Sequence, residues 1–268
     1  MIHLVLLWQF NTGWMVKYIS LWNDMVGAAS WGKCGYVFYK NLTLAFKFCP
    51  FEIMNVVKPW DRGFVFVGER HVYLVDAVQR RVIAINVTAK DAVYDGRHLY
   101  LCKGVLFNDT QRLPIKCNWL VLRGDKLYVF TEDGIALVKG NKVIKFERTP
   151  SSPREGDVCK SLAAYNDGQH VFLVNLTSGA ADLIMNVTGV GEVSFSPNCK
   201  YLGFTNPYAG QLFIYSIKEK KVVAKKSFIF GLSKCPLYLP SVALGKGIVY
   251  VGGGDGWVQA FALSEVQR

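Results

Sequence analysis

The sequence lacks a hydrophobic run long enough to cross a membrane as a helix. Such a helix needs about 20 consecutive apolar residues, and none of the 268 residues lies in a run of that length. The apolar opening segment MIHLVLLWQF is short, has no basic lead and is followed by NTGW rather than by a small-residue cleavage site. We therefore expect neither a transmembrane segment nor a secretory signal.

Closely spaced cysteine pairs are also absent. The seven cysteines are scattered singly along the chain: Cys34, Cys49, Cys102, Cys117, Cys159, Cys199 and Cys235. Without a Cys-x-x-Cys pair, neither a zinc site nor a dithiol redox motif is expected. The odd number favours buried, reduced thiols over a disulfide framework. This pattern predicts a cytoplasmic protein with no metal ion.

No group of residues resembles a catalytic constellation. The four histidines, His3, His71, His98 and His170, are isolated in the sequence. The run GGGDG at 252–256 is not followed by a helix whose amino end could hold a phosphate, so it is interpreted as a tight turn. We therefore expect no catalytic residues and no cofactor. An enzymatic activity is the less favoured alternative.

The composition does favour a large core and an acidic partner. Half of the chain, 51%, is apolar, which is enough to bury a substantial core. The formal charge of +11 and the isoelectric point near 9.3 favour binding to nucleic acid, an anionic surface or an acidic protein.

A unit made of a polar turn and a short strand recurs along the chain. Gly, Asp and Asn supply each turn, and alternating aromatic and β-branched residues follow it. The units begin at WGKCGYVF (Trp31), WDRGFVFV (Trp60), YDGRHLYL (Tyr94), RGDKLYVF (Arg123), YNDGQHVFL (Tyr165), SPNCKYLGF (Ser196) and GKGIVYV (Gly245). Their mean spacing of about 35 residues in an all-β chain predicts a β-propeller.

The unit VSFSPNCKYLGFTN…LFIYSI resembles a WD40-type blade, and GIVYVGGGDGWVQAFAL resembles a quinoprotein-type blade. No blade ends in Trp-Asp, and the tryptophan-docking pattern of quinoprotein repeats is missing, so the resemblance implies the fold and neither family's function. We expect one all-β domain over 1–268, a seven-bladed propeller of four-stranded antiparallel sheets. The blade cores are expected near 21–50, 51–88, 89–118, 119–150, 151–189, 190–230 and 231–268, with an amino-terminal strand at 1–10 closing the ring.

The distribution of charge predicts one basic face on this ring. In a meandering blade, the turns between the first and second strands and between the third and fourth strands emerge on the same side. The basic residues in these turns are candidates for binding a polyanion: Arg62, Arg80, Arg81, Arg97, Arg112, Arg123, Lys126, Lys139, Lys142, Lys200, Lys218, Lys220, Lys221 and Lys246. Four aromatic residues beside the turns, Trp31, Trp60, Tyr94 and Tyr165, are candidates for stacking nucleic-acid bases. The alternative is that these rings pack between blades.

Three functions remain open from the sequence. The favoured one is a non-catalytic docking platform for other proteins of a complex, with RNA or DNA as a further candidate partner of the basic face. The second is an enzyme or cofactor-binding propeller with a site at the central channel, which needs convergent polar side chains on the inner strands. The third is a glycosylated cell-surface propeller, suggested by five Asn-x-Thr sequons at Asn41, Asn86, Asn108, Asn175 and Asn186.

Overall fold

A computed structural model of the chain describes residues 2–229 and 236–265, and the regular elements of these residues are all β-strands. The first strand is β1 (Ile2–Asn11). Blade 1 contains β2 (Val16–Trp22), β3 (Met25–Ser30), β4 (Cys34–Tyr39) and β5 (Leu44–Phe48). Blade 2 contains β6 (Met54–Trp60), β7 (Gly63–Gly68), β8 (Val72–Asp76) and β9 (Arg81–Ile85). Blade 3 contains β10 (Asp91–Tyr94), β11 (Leu99–Cys102), β12 (Gly104–Asn108) and β13 (Gln111–Cys117).

The remaining blades repeat this meander. Blade 4 contains β14 (Trp119–Arg123), β15 (Lys126–Phe130), β16 (Gly134–Lys139) and β17 (Lys142–Arg148). Blade 5 contains β18 (Glu155–Cys159), β19 (Leu162–Asn166), β20 (His170–Asn175) and β21 (Ala181–Asn186). Blade 6 contains β22 (Val193–Phe195), β23 (Tyr201–Asn206), β24 (Gln211–Ser216) and β25 (Lys221–Ser227). Blade 7 contains β26 (Ser241–Leu244), β27 (Ile248–Gly252) and β28 (Trp257–Glu265), with β1 as its fourth strand.

The seven sheets form a ring, which confirms the predicted seven-bladed propeller. The first strand of each blade contacts the first strands of both neighbouring blades, so these strands surround the central axis. We letter the strands of a blade A to D from this axis outwards. Closure is made by β1, which pairs antiparallel with β28 from Ile2 opposite Glu265 to Asn11 opposite Trp257. The amino-terminal strand therefore supplies the outer edge of the last blade, as predicted.

The apolar sequence of the middle strands follows from burial on both faces between neighbouring blades. In β7, GFVFVG, every residue is buried, and Phe64 and Phe66 are fully inaccessible. The outer strands are half exposed and carry charges, as in the exposed β17, KVIKFER. The core is thus a series of inter-blade layers, and each layer is completed by the next blade.

Two segments differ from the predicted organisation. The segment Val16–Trp22 is the A strand of blade 1, so that blade begins before residue 21. As a consequence, Trp31 lies in the B–C turn of its blade rather than at the end of an A strand. The segment 151–189, whose sequence NLTSGAADLIMN predicts at most part of a hairpin, forms a complete four-stranded sheet. Its A strand is β18, and LAAYN is the B strand.

The expectation of unpaired cysteines is wrong for six of the seven. Disulfide bonds join Cys34 to Cys49, Cys102 to Cys117 and Cys159 to Cys199. The first two lie within single blades, and each joins residues 15 positions apart. In blade 1, the register of the C and D strands brings the two cysteines together, whereas in blade 3 they end the B and D strands. The third ties blade 5 to blade 6. Cys235 lies outside the described residues.

Candidate functional site

The A–B and C–D turns lie at one end of the antiparallel sheets, and we call this end the A–B face. It consists of the A–B turns at 23–24, 61–62, 95–98, 124–125, 160–161, 196–200 and 245–247, and the C–D turns at 40–43, 77–80, 109–110, 140–141, 176–180 and 217–220. The opposite end, with the B–C turns and the connections between blades, is the B–C face.

All fourteen basic candidates lie in or directly beside these turns, and all of them are exposed. Four of them form ion pairs. Arg62 lies 2.7 Å from Asp76, and Arg123 pairs with Asp157. Lys220 lies 3.4 Å from Asp182, and Lys221 lies 2.8 Å from Glu219.

The other ten candidates have no carboxylate within 4 Å among the described residues: Arg80, Arg81, Arg97, Arg112, Lys126, Lys139, Lys142, Lys200, Lys218 and Lys246. Aspartates in the same turns, such as the half-buried Asp95 and the exposed Asp125, form the turns and reduce the positive charge of the face. The A–B face therefore presents many cations that no neighbouring side chain neutralises.

The four aromatic candidates do not form a stacking surface. Trp60 and Tyr94 lie at the ends of neighbouring A strands and pack edge to face, with ring centroids 5.2 Å apart. The indole N–H of Trp60 also donates to the carbonyl of Val75, at 3.2 Å. These two rings thus pack between blades, as in the alternative interpretation.

The other two aromatic candidates were placed on the wrong face. Tyr165 lies in a B strand next to the B–C turn and is fully buried, and Trp31 lies in a B–C turn. The face of Tyr165 was wrongly predicted because A–B and B–C turns have similar local sequences. Asp95 starts an A–B turn and Asp167 starts a B–C turn, yet each carboxylate accepts the N–H of the histidine three residues later at 2.7 Å. Since turn chemistry is local, it does not report which turn of the blade a segment forms.

A cavity of about 670 Å³ lies at the A–B end of the central channel. The A strands of the blades line it, including Tyr18, Lys58, Asp157 and Glu192, and basic residues of the A–B turns, such as Arg123, surround its mouth. The turn-and-strand pattern predicts LAAYN, with few polar residues, as an inner strand, but it is a B strand, so the charged residues of the true A strands were missed. The detectable signal was a single charge within an otherwise apolar A strand, as in NVVKPW and DAVY.

Lys58 and Asp91 form a buried ion pair beside this channel. The Nζ of Lys58 lies 3.3 Å from the Asp91 carboxylate, donates to the carbonyl of Leu120 at 2.9 Å and lies 3.5 Å above the ring centre of Trp119. Burial lowers the pKa of Lys58 and raises the pKa of Asp91, and the attraction between the two charges opposes both shifts. The ammonium group of Lys58 is therefore engaged by protein groups that belong to blades 3 and 4.

The buried carboxylates connect the A strands of neighbouring blades, and one of them also joins blade 6 to blade 1. Asp91 accepts the N–H of Leu120 at 2.7 Å, and Asp157 accepts the N–H of Phe195 at 2.8 Å. Glu192 accepts two, from Val242 at 3.1 Å and from Ile19 at 3.3 Å. An A strand faces the channel with an unpaired edge, and a buried N–H without a partner costs about 1–3 kcal/mol. These side chains therefore hold the ring together.

Two glutamates of the channel have shifted acidities. Burial raises the pKa of Glu155, and burial together with the nearby Glu155 carboxylate raises the pKa of Glu192 well above its usual value. A protonated Glu192 still accepts hydrogen bonds through its carbonyl oxygen and gains an O–H donor. Within the described residues, no group of three or more His, Cys, Asp or Glu side chains is arranged to hold a metal ion.

The comparisons with known proteins support the fold alone. No family model and no curated protein matches the chain. A solved structure of Ika8, a computationally designed protein, is similar over 96% of this chain and 99% of that chain, with a TM-score of 0.64 and 8% sequence identity. Identity this low carries no information about function. In residues 2–229 and 236–265, no helix has the length and apolar character needed to span a membrane.

Proposed function

We propose that the chain is a non-catalytic docking platform that binds an acidic partner through its A–B face. The observation that carries the proposal is the set of ten exposed cations on this face that have no carboxylate partner among the described residues. A rigid ring displays them in fixed positions, which favours multivalent contact with a surface of opposite charge. The fold is compatible with such a role and does not specify it.

The proposed partner is an acidic protein surface. Recognition of single-stranded nucleic acid without sequence preference depends on exposed rings that stack on bases. Tyr165 is fully buried, and the rings of Trp60 and Tyr94 pack against each other. Without stacking, the A–B face can recognise a partner only through the charges of its cations. Because the turns hold these cations in fixed positions, we expect the partner to be a folded protein with an acidic surface. Binding of RNA or DNA is the competing outcome of the test.

The test compares charge reversals on the two faces. The first variant replaces five unpaired cations of the C–D turns with glutamate: Arg80, Arg81, Lys139, Lys142 and Lys218. The control variant replaces five exposed cations towards the B–C face: Lys33, Lys90, Lys103, Arg148 and Arg154. Both variants change the net charge equally, so non-specific attraction to a basic protein affects them equally.

The probes are poly-L-glutamate and an oligothymidylate, titrated at several salt concentrations. We expect the first variant to bind poly-L-glutamate about tenfold or more weakly, a change of about 1.4 kcal/mol, and the control to bind like the unmodified protein. An equal loss of affinity in both variants would overturn the proposal of a docking platform on the A–B face. Tight binding of the oligonucleotide, with weak binding of the polypeptide, would replace the acidic protein with nucleic acid as the partner.

A second candidate function is binding of a small molecule in the central cavity. It is favoured by the charged side chains that converge on the cavity. A propeller with a site at its central channel needs such convergent polar side chains on its inner strands. Against it, Lys58, Asp91 and Asp157 are engaged in contacts between blades. Native mass spectrometry of protein purified from its own cells tests it directly: a bound species of constant mass, lost in the Glu192→Gln variant, would support this function.

A further inference from the structure

The five Asn-x-Thr sequons occupy a restricted part of the ring. Three of their asparagines lie at or in C–D turns, Asn41, Asn108 and Asn175. Of the other two, Asn186 ends a D strand and Asn86 directly follows one. The outer two strands of a blade form the perimeter of the propeller. None of the sequons lies in an A–B turn, and none lies in blades 4, 6 or 7. Sequons that arose only from the strand-and-turn repeat would be expected in inner turns and in all blades.

The structure separates these asparagines by accessibility. Asn41, Asn86 and Asn186 are exposed, and so are the threonines of their sequons, Thr43, Thr88 and Thr188. A glycan attached to the amide nitrogen of any of these three asparagines would extend into solvent from the perimeter.

Asn108 provides a contrast with the same local sequence pattern. It is half-buried, and its amide nitrogen donates to the Oδ1 of Asn141 at 2.9 Å. Its own Oδ1 is buried and has no hydrogen-bond partner. A glycan on this nitrogen would displace Asn141, so the folded protein does not accommodate one there.

The three disulfides are an independent observation that points to the same environment. They involve six of the seven cysteines, and their Cα atoms are separated by 4.1, 5.5 and 5.8 Å. Disulfides persist in oxidising compartments, which in most cells are also the compartments in which sequons are glycosylated.

We propose that the chain matures in an oxidising secretory compartment and carries N-linked glycans on Asn41, Asn86 and Asn186. At each site, the amide nitrogen forms a bond to the anomeric carbon of a lipid-linked oligosaccharide diphosphate. The bond from that carbon to the diphosphate oxygen breaks, the lipid diphosphate leaves, and the amide nitrogen loses one proton. Each disulfide forms as two thiols lose two protons and two electrons to a thiol–disulfide oxidant.

This proposal replaces the expected cytoplasmic location and is independent of the docking proposal. The glycans would shield the perimeter of blades 1, 2 and 5. They would leave the perimeter of blades 4, 6 and 7 and the mouth of the central cavity uncovered.

The experiment uses the protein purified from its own cells, with free thiols alkylated during lysis. Peptide mass spectrometry before and after glycosidase treatment is expected to show sugar on the three exposed asparagines, none on Asn108 and no alkylation of the six paired cysteines. Three unmodified asparagines, or six alkylated cysteines, would overturn the proposal. Sugar on Asn108 with none on the three exposed sites would overturn it as well.

A set of variants separates glycosylation from folding. Thr43→Ala, Thr88→Ala and Thr188→Ala each remove one sequon and retain the asparagine. The third variant also loses the hydrogen bond that the Thr188 hydroxyl donates to Oδ1 of Asn206 at 2.6 Å. In the native host, each variant is expected to lose the mass of one glycan and keep the disulfides. A variant that folds and shows the full glycan mass of the unmodified protein would contradict the assignment of that site.

Discussion

The inner and the outer strands of this propeller both carry charged residues, but their charges serve different purposes. On or directly before the A strands, the carboxylates of Asp91, Asp157 and Glu192 are buried and accept backbone N–H groups of other blades. On the C–D turns, basic side chains such as Arg80 and Lys142 point into solvent without partners among the described residues. The buried charges therefore belong to the architecture, whereas the exposed cations face solvent.

The outer strands also differ among themselves. Six D strands carry a charged residue, as in RVIAI and KVVAKKS, whereas β1, IHLVLLWQFN, has no acidic or strongly basic residue. Charged residues on edge strands hinder association with other edges. Strand β1 instead closes the ring, and Val5, Leu6 and Trp8 remain exposed on it.

The largest expected effect is loss of closure. Deletion of residues 2–10 removes nearly all of β1 and exposes the edge of β28, so blade 7 loses its outer strand and its link along the chain to blade 1. We expect the thermal midpoint of the whole domain to fall, or the domain to fail to fold. The control Leu7→Lys changes an exposed side chain of β1 and is expected to retain the midpoint. An unchanged midpoint after the deletion would refute closure by β1.

Breaking the buried ion pair is expected to have the next largest effect. Lys58→Met removes the cation and leaves the Asp91 carboxylate buried without it. Loss of one partner of a buried pair costs about 3–5 kcal/mol, which urea unfolding would measure. The control Arg62→Met breaks the half-exposed pair with Asp76 and should cost about 0–1 kcal/mol. Similar costs for the two variants would contradict the distinction between inner and outer charges.

The disulfide in blade 3 is expected to contribute slightly less. Replacing both Cys102 and Cys117 with Ala opens a loop of 15 residues, and closing a loop of that length contributes about 3 kcal/mol. Urea unfolding of the oxidised protein and of the double variant would give the difference. In strong reductant, the difference should shrink. A double variant as stable as the oxidised protein would show that the bond contributes nothing.

The smallest effect concerns the acidity of Glu192. Because the folded protein raises the pKa of this carboxyl, the unfolded chain loses the proton at lower pH than the folded chain does. The contribution of Glu192 is thus fully present below its unfolded pKa and declines as pH rises towards the folded pKa. Glu192→Gln cannot ionise, so its stability relative to the unmodified protein should increase as pH rises from 4 to 8. A relative stability that is independent of pH would contradict the shift.

The fold was predictable from the sequence because its signal repeats. Each blade needs the same turn residues and the same alternation, so seven weak patterns support one another. The closing strand was predictable because the last blade lacked one strand. The place of each turn within its blade was harder: Asp95 and Asp167 form similar local turns on opposite faces of the ring.

The inner site and the disulfides were beyond this reasoning because both depend on contacts between distant residues. The carboxylate of Glu192 meets the N–H of Ile19, 173 residues away. One signal was available and missed: Cys34 to Cys49 and Cys102 to Cys117 share the same separation of 15 residues. In both pairs, a cysteine beside the B–C turn is joined to a cysteine at the end of the D strand of the same blade.

The most direct test of the division between inner and outer charges measures the affinity of folded Lys58→Met protein for poly-L-glutamate. It is compared with the variant reversed at Arg80, Arg81, Lys139, Lys142 and Lys218, and urea midpoints are recorded for both. The account predicts that Lys58→Met lowers the midpoint and keeps the affinity, whereas the reversal keeps the midpoint and lowers the affinity about tenfold or more. A reversal that unfolds the ring without weakening binding, or a loss of affinity in folded Lys58→Met protein, would contradict it.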